Sequence, residues 1–424
     1  MKILLFLAFS VASAQDINGR WTCSTETLDA SGVKRALSQI IDVKGASGVL
    51  LSRRGGAGIP LRVIQEGPKF TLLGELDFEG GEHLRWYLEL KEGHLQGRVW
   101  ALHDSPKKWG VDWTGPVDFV LQPAADRAMI DTWMKELSNW GRWGANDQLG
   151  AVNLITPEVR QRAAKLVQEG FSVSLSRDAD AVRAVDNSRP FEKRMLSLGN
   201  DANDAFATDS YTMSFHGASL THLDAMSHTS SQGKLYNGYP QTEINSTGAH
   251  KLAVDAYKTG FFSRGILMDI PRLKGAKYLE ISTPIYPEDL DAWEKSAGIK
   301  VGPGDIVFIR TGRWARRAEL GAWDTDKAAA GLHVSCARWF KQRDIAALGS
   351  DAHGELMPSP VAGIEYPMHQ LLLVAMGVPM FDNCDLEALS VAAAARKRWE
   401  FLLTAAPLSV PLGTGSPLNP IATF

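Results

Sequence analysis

Three histidines and one aspartate lie within thirteen residues, at His216, His222, Asp224 and His228, in a chain that has ten histidines. Imidazole and carboxylate groups cost stability when they are buried without a partner. Zinc, manganese and iron accept such nitrogen and oxygen ligands together. A divalent metal held by these four side chains is therefore the simplest explanation of the cluster.

The spacing of these residues predicts an extended backbone rather than a helix. All four residues have even numbers, and side chains alternate between the two faces of a strand, so in a strand these four would point to one face. On a helix, His222 and Asp224 would lie on nearly opposite sides. His216 is harder to place, because six residues of straight strand span roughly 20 Å at about 3.3 Å per residue. If His216 joins the site, we expect a bend near Gly217, where small residues make it sterically easy.

The residue types also predict what such a site would do. A metal bound by neutral imidazoles and one carboxylate can keep a position for water and lower its pKa towards neutrality. His228 lies four residues beyond Asp224, where it is well placed to accept and return a proton.

The N-terminal part of the chain has the pattern of a β domain. Short β-like runs separated by turn signals extend from about residue 15 to 123 and predict an antiparallel meander or small barrel. Gly19-Arg20-Trp21 at its start resembles the opening of lipocalin-like barrels. The predicted strands are 61–64, 70–76, 84–90, 95–102 and 117–121.

The C-terminal part alternates between helical and β-like patterns. Apolar residues at helical spacing predict a helical linker over 124–140. A second helix is expected to begin with Thr156 as its cap and Pro157 at its first position, and to end at Gly170. Predicted strands at 265–270, 305–310 and 346–348, with a helix at 287–297, complete an α+β fold whose catalytic domain covers 141–424.

The first fourteen residues have the features of an export signal. Lys2 provides a positive charge, residues 3–12 are apolar, and Ala12-Ser13-Ala14 offers a cleavage site. This predicts a periplasmic or secreted protein. The run is too short to span a membrane, which takes roughly 20 residues.

Composition points to small-molecule chemistry. Hydrophobic residues make up 45% of the chain and charged residues 22%, as in globular proteins, and the net charge is −3. This charge gives no reason to expect nucleic acid or an anionic membrane as a partner. Cys23, Cys336 and Cys384 show no pairing pattern, so isolated buried thiols are favoured, with one disulfide left open.

Across about residues 141–389 the sequence resembles the metal-dependent cyclase family, which includes bacterial kynurenine formamidase and isatin hydrolase. Its most specific motif is His-x-Asp-x-x-x-His from His222 to His228, preceded by Thr221. The other motifs support the resemblance through their order and spacing along the chain. They are Gly141-Arg142-Trp143-Gly144, Asp147-Gln148-Leu149-Gly150, Gly233-Lys234-Leu235-Tyr236-Asn237-Gly238, Arg264-Gly265-Ile266-Leu267-Met268-Asp269 and Gly304-Asp305-Ile306-Val307-Phe308-Ile309-Arg310-Thr311-Gly312.

The resemblance implies a swivelling β/β/α fold, a homodimer or higher oligomer, and a role for each residue of the motif. His222 and Asp224 would bind the metal, and His228 would be the acid and base. The family's further upstream histidine commonly precedes the second by four residues, whereas His216 precedes His222 by six. His216 is the local candidate for that third ligand.

The resemblance also implies groups farther along the chain. His369 and Asp382 match a pair that can complete a second metal site, although relatives often have glutamate in place of Asp382. We therefore expect one or two zinc or manganese ions. Asp351 matches a family aspartate and is expected to contact substrate or to support a ligand, whereas we expect His353 to be exposed at the surface.

Aromatic residues near the motifs could line a pocket or belong to the core. The candidates that follow from their positions are Trp140, Trp143, Phe215 and Tyr236.

The predicted function is hydrolysis of a small amide, formamide, lactam, imide or ester by metal-activated water, with a non-peptide C–N bond favoured. One alternative is a non-haem iron oxygenase, because His222, Asp224 and His369 imitate a two-histidine, one-carboxylate triad. Oxoglutarate-dependent members of that class also need a basic residue soon after the distal histidine, and the next one here is Arg396. The other alternative is an exported, catalytically silent relative that binds metal or a small ligand.

Overall fold

The computed structural model describes residues 19–29, 34–44, 46–50, 59–66, 69–76, 82–91, 94–105, 108–122, 126–200 and 205–424. The chain divides into two compact units, residues 1–124 and 125–424. The predicted export signal over residues 1–14 lies outside the described residues. Among those that are described, none of the helices combines the length and apolar character that a membrane span requires.

The first unit is a closed antiparallel barrel of eight strands, in which β1 pairs with both β2 and β8. Side chains alternate between the interior and solvent, since Leu61 and Val63 are buried while Arg62 and Ile64 are exposed. The antiparallel β prediction is confirmed, and closure leaves no free sheet edge. The strands are β1 (Gly19–Asp29), β2 (Lys34–Lys44), β3 (Ser47–Leu50), β4 (Ile59–Glu66), β5 (Lys69–Leu76), β6 (Glu82–Lys91), β7 (His94–Ser105) and β8 (Lys108–Gln122).

The second unit contains a mixed sheet of nine strands, in the order β22-β12-β20-β19-β17-β15-β21-β23-β9. Its central strands β15, β17, β19 and β20 run parallel. The remaining strands form small two-stranded sheets. The strands are β9 (Ser172–Ser174), β10 (Glu192–Leu198), β11 (Ala207–Thr212), β12 (His222–Asp224), β13 (Ile244–Asn245), β14 (Gly248–Ala249), β15 (Phe261–Asp269), β16 (Pro284–Ile285), β17 (Ile306–Arg310), β18 (Gly331–Leu332), β19 (Ala347–Ser350), β20 (Met380–Asp382), β21 (Glu400–Ala405), β22 (Gly415–Pro417) and β23 (Ile421–Thr423).

The sheet of the second unit is buried on both faces. Every residue of β17 is buried, as expected for a parallel strand covered on each side. Ile309 packs in one apolar cluster and Phe308 in another, so successive residues fill opposite faces. The helices are α1 (Arg127–Glu136), α2 (Pro157–Ala164), α3 (Ile270–Leu273), α4 (Pro287–Ala297), α5 (Arg313–Leu320), α6 (Cys336–Arg343), α7 (Pro367–His369) and α8 (Glu387–Arg396).

The helices near the start of this unit differ in part from expectation. Ile130 and Trp133 of α1 are buried in the core of the second unit, so this helix is part of that unit rather than a separate linker. Thr156 caps α2 by accepting a hydrogen bond from the Val159 amide at 3.3 Å, as predicted. The helix nevertheless ends at Ala164, and a turn takes the chain to Gly170.

Two of the three cysteines have described side chains, Cys336 and Cys384. Both are buried free thiols, as the absence of a pairing pattern indicated. Burial raises the pKa of each thiol, which keeps it protonated and unreactive at neutral pH.

Candidate metal centre

Strand β12 holds the central pair of the site, and the extended backbone expected of His-x-Asp is confirmed. His222 and Asp224 point to one face, while Leu223 between them is fully buried in the core on the other. β12 pairs antiparallel with β20, and His222 lies directly opposite Asp382. Three groups that could bind metal therefore meet on one face of two neighbouring strands.

His216 reaches this group because the backbone bends over residues 216–220, as the spacing required. Its Nδ1 lies 2.9 Å from Asp224 Oδ1, and its Nε2 lies 3.1 Å from Thr414 Oγ1. Gly415 provides the space, since a Cβ there would lie 2.8 Å from His216 Cε1. The sequence pattern gave no signal for Thr414 or Gly415.

The bend is held by two buried polar side chains that sequence reasoning did not identify. Asn383 follows β20 and donates to Gly217 O at 2.5 Å. Arg313, at the start of α5, donates to Asn383 Oδ1 at 2.5 Å and to Ala218 O. Burial lowers the pKa of Arg313 to about 10, against the opposing effect of Asp186, so the guanidinium stays charged at neutral pH.

His228 lies beyond β12, after a turn at residues 226–227. Its ring stacks on His216 with centroids 4.1 Å apart, and its Nε2 lies 3.8 Å from Asp224 Oδ2. The His228 side chain is 33% exposed, whereas that of Asp224 is 1% exposed. His228 is therefore the member of the group that solvent and small molecules can reach most easily.

His369, at the end of α7, approaches the same carboxylates from a distant part of the chain. Its Nε2 lies 3.8 Å from Asp224 Oδ2 and 3.8 Å from Asp382 Oδ2. Its Nδ1 lies 2.5 Å from Glu355 Oε1. A carboxylate that accepts from one ring nitrogen fixes the orientation of the other, as is usual for histidines that bind metals.

We call His216, His222, Asp224, His228, His369 and Asp382 the His–Asp cluster. Within it, the candidate ligand atoms of His216, Asp224 and His228 all lie within 4.8 Å of one another, as do those of His222, Asp224 and Asp382. Asp224 belongs to both groups, so its carboxylate can serve a single ion or bridge two.

Several donor atoms of the His–Asp cluster are buried and unpaired. His216 Nδ1, Asp224 Oδ1 and Asp382 Oδ1 have no hydrogen-bond partner among the described residues. The 2.9 Å contact between His216 and Asp224 thus lacks hydrogen-bond geometry. His222 Nδ1 donates to Leu220 O at 2.8 Å, which leaves Nε2 as the lone-pair nitrogen of the neutral ring. Unpaired nitrogen and oxygen donors that converge in this way fit a divalent cation such as zinc or manganese.

The charge on each group of the cluster depends on the charges of its neighbours. Burial raises the pKa of Asp224, but the imidazoles of His228 and His222 outweigh it and hold that pKa well below its usual range. Burial lowers the pKa of His222, but Asp224 and Asp382 raise it to about 9, so a metal ion would displace a proton from this ring when it binds Nε2. Burial and neighbouring imidazoles lower the pKa of His228. Asp224 is thus held as an anion, the form that binds a cation.

Comparison with known proteins agrees with this architecture. The sequence model of the family Cyclase, described as "Putative cyclase", matches residues 152–354. A crystal structure described as that of a novel cyclase is 34% identical, with coverage of 68% of this chain and 99% of that chain and a TM-score of 0.61. The chain belongs to the cyclase family.

More distant structures are also similar to this chain. Isatin hydrolase A from Ralstonia solanacearum is 20% identical over 59% of this chain and 91% of that chain, with a TM-score of 0.44. Isatin hydrolase A from Labrenzia aggregata, bound to benzyl benzoate, is 21% identical over 62% of this chain and 96% of that chain, with a TM-score of 0.43. No curated protein matches the chain significantly.

The His–Asp cluster opens into a cavity of about 420 Å³. All six cluster residues line it, so the sequence-derived metal and acid–base candidates meet at one surface. The remaining lining residues are Gly217, Ala218, Thr229, Asp326, His353, Glu365, Tyr366 and Gln370.

Asp351 does not line this cavity, which corrects the expectation of substrate contact. It is completely buried, and its oxygens accept from the Thr311 hydroxyl at 2.7 Å and from the Gly312 amide at 2.7 Å. It also accepts from the amides of Thr311 and Arg313. Asp351 therefore fixes the segment before α5, and through it the backbone position of Arg313.

Most of the predicted pocket aromatics lie elsewhere. Tyr236 is fully buried and donates to Asp147 Oδ2 at 3.1 Å, while Trp143 is half-buried against the core. The indole of Trp140 donates to Val374 O at 2.7 Å. Phe215 alone of these lies beside the cluster, with its ring 4.5 Å from that of His216.

His353 was expected to be exposed at the surface, and this prediction is wrong. The residue is buried, with 8% of its surface exposed. Together with Asp351 and Glu355 it forms an alternating polar set that is visible in the sequence. The alternation gave no way to tell that Glu355 would contact His369 or that His353 would line the cavity.

Proposed function

We propose that this member of the cyclase family is a metal-dependent hydrolase of a small amide, formamide, lactam, imide or ester, with a non-peptide C–N bond favoured. The observation that carries the proposal is Asp224, a buried carboxylate surrounded by four imidazoles at the wall of a cavity. A buried carboxylate at a cavity whose pKa is strongly shifted by specific charged partners is a candidate for a functional site.

The donor set suggests which residues would hold the ion. His216, His222 and Asp224 offer two nitrogens and a carboxylate, and His369 with Asp382 adds donors for a larger coordination sphere or a second ion. When bound, zinc or manganese would lower the pKa of water and polarise the substrate carbonyl.

Side chains of the protein would transfer the protons and hold the ligands in position. His228 faces the cavity and is partly exposed, so it can take a proton from the attacking water and return it to the leaving group. Glu355 would keep His369 oriented, and the Arg313–Asn383 pair would keep the bend that carries His216. The buried Asp224 cannot exchange protons with substrate as readily, because its side chain is 1% exposed.

The oxygenase alternative is less well supported by the geometry. A two-histidine, one-carboxylate iron site uses three protein ligands on one face and leaves the others open. Here four imidazoles and two carboxylates converge on the cavity, which suits proton transfer beside the metal better than oxygen activation.

The test is metal analysis of the full-length protein, followed by a hydrolysis screen of amides, imides, lactams and esters with zinc, manganese or iron. His228→Ala should retain metal and lose about 100- to 10,000-fold in turnover. His250→Ala is a matched control, because that histidine is exposed and contacts Thr247. Full turnover without His228 would rule out its acid–base role.

Two other outcomes would contradict the hydrolase itself. Failure of every metal-loaded form to hydrolyse the panel would favour a binding protein. Oxygen consumption with iron, but no hydrolysis with zinc or manganese, would favour the oxygenase. Export and homo-oligomer formation stay predictions, to be checked by N-terminal sequencing of the mature protein and by its mass in solution.

A further inference from the structure

The cavity holds one buried histidine that the proposed hydrolysis does not use. His353 lies on the cavity wall together with His369 and Tyr366. The Tyr366 ring lies 5.9 Å from His353 and 5.5 Å from His369, edge-on to both. His353 is therefore separated from the His–Asp cluster by a single aromatic ring, within reach of a ligand bound in the cavity.

The hydrogen bonds of His353 fix which nitrogen carries the proton. Nε2 lies 3.0 Å from Thr325 O, and a carbonyl can only accept, so Nε2 is the protonated nitrogen. Nδ1 of the neutral ring is then an acceptor. It is buried and has no hydrogen-bond partner in the part of the chain that the structure describes. A buried acceptor without a donor is unfavourable, and a ligand N–H or O–H would remove that cost.

The charge of the cavity mouth gives a second, independent indication. Asp326 and Glu365 both line the cavity and are exposed. Lysine and arginine are absent from the described residues that line it. A metal ion in the His–Asp cluster would offset the carboxylates of Asp224 and Asp382, and Asp326 and Glu365 would still add two negative charges to the cavity, which disfavours anionic ligands.

We propose that the cavity selects neutral or cationic substrates that carry an N–H donor, and that His353 Nδ1 accepts that hydrogen bond. The proposal rests on the proposed hydrolase function and adds a substrate class to it. It favours amide, imide or ureide groups with a free N–H over N-alkylated analogues, and it disfavours substrates that bear a carboxylate.

Two rigid probes isolate the hydrogen bond. Phthalimide and N-methylphthalimide have the same ring system and differ only at the nitrogen. We expect the metal-loaded, full-length protein to bind phthalimide about tenfold more tightly, the effect of one hydrogen bond in a buried site. Calorimetry is carried out with the metal-loaded His228→Ala variant, which is expected to retain metal without turnover, so that the heat reports binding rather than hydrolysis.

A matched pair of variants assigns the effect to one atom. His353→Gln can still donate to Thr325 O but has no acceptor where Nδ1 lies, so the preference for phthalimide should disappear. His353→Asn places an amide oxygen near the Nδ1 position and should retain part of the preference. A purely structural role would weaken both imides equally in both variants. Thermal unfolding of each variant checks that the fold is retained.

The effect of the acidic cavity residues is tested with 4-carboxyphthalimide. It carries a negative charge and should therefore bind more weakly than phthalimide. The double variant Asp326→Asn, Glu365→Gln should reduce the ratio of the two affinities by roughly two- to fivefold. The reduction should be larger at low salt than at high salt, because salt screens these charges. Equal binding of the two imides to the wild type, binding of neither, or an unchanged preference in His353→Gln would overturn the proposal. Hydrolysis of any carbonyl substrate in the earlier screen would leave the proposed function standing in each of these cases.

Discussion

Asp224 and Asp351 are both buried aspartates on the main sheet of the second unit, yet their surroundings are opposite. Asp351 follows β19 and accepts hydrogen bonds from the Thr311 hydroxyl and from three successive backbone amides. Asp224 ends β12 and is surrounded by imidazoles, with Oδ1 unpaired within the described chain. Burial raises the pKa of Asp351, whereas the imidazoles keep that of Asp224 well below its usual range.

The difference separates a carboxylate whose oxygens are satisfied by the protein from one that has an oxygen left for a ligand. Backbone amides satisfy Asp351 completely, so it can contribute to folding without any ligand. The donors around Asp224 are titratable rings that compete with a cation for the same oxygens. A bound metal would satisfy these oxygens and rings together.

Asp224→Asn should abolish metal binding, with a loss of more than about 100-fold in affinity, because both candidate ligand groups share this carboxylate. Metal content after dialysis and calorimetric titration measure the effect. The control is Asp209→Asn, an exposed position in β11. Full metal content in Asp224→Asn would show that the carboxylate is not a ligand.

Asp351→Asn should leave the metal stoichiometry of the folded protein unchanged but lower its free energy of unfolding by about 3 kcal/mol. The cause is the new amide group, which would direct its own N–H towards donors that now have no acceptor. Urea unfolding measures the loss, with Asp324→Asn as a partly exposed control. If Asp351→Asn released metal without a change in stability, the contrast between the two aspartates would fail.

Glu355→Gln should weaken metal affinity by about 10- to 100-fold, since the neutral amide holds His369 less firmly than the carboxylate does. Titration of the variant with zinc and with manganese measures the change. An affinity equal to that of the wild type would mean that His369 does not take part in binding, and would confine the site to the ligands around β12.

Asn383→Gly should have the smallest effect, about a fivefold loss in metal affinity. It removes the hydrogen bonds of Asn383 with Gly217 O and with Arg313, while Arg313 keeps its own hydrogen bond to Ala218 O in the bend that carries His216. Glycine is the suitable replacement because Asn383 has a φ of 54°, which other side chains rarely adopt. A loss as large as that of Asp224→Asn would indicate a direct role for Asn383 at the metal.

Much of the local structure followed from the sequence. The antiparallel barrel strands, the extended His-x-Asp segment and the cap of α2 all depend on alternation or on neighbours within a few residues. The premature end of α2 at Ala164 and the burial of His353 were missed. In both cases contacts with distant parts of the chain override the local pattern, so no nearby residue signals the outcome.

The sequence by itself determined that His222 and Asp224 share one face of the sheet, because alternating residues of one strand must share a face whatever the rest of the chain does. Only the tertiary structure decided which other groups surround this pair. Thr414 lies beside His216 from 198 positions away in the chain, and Arg313 reaches the same bend from 95 positions away. Such contacts exist only because sheet pairing and burial bring distant segments together, and a pattern of neighbouring residues carries no record of them.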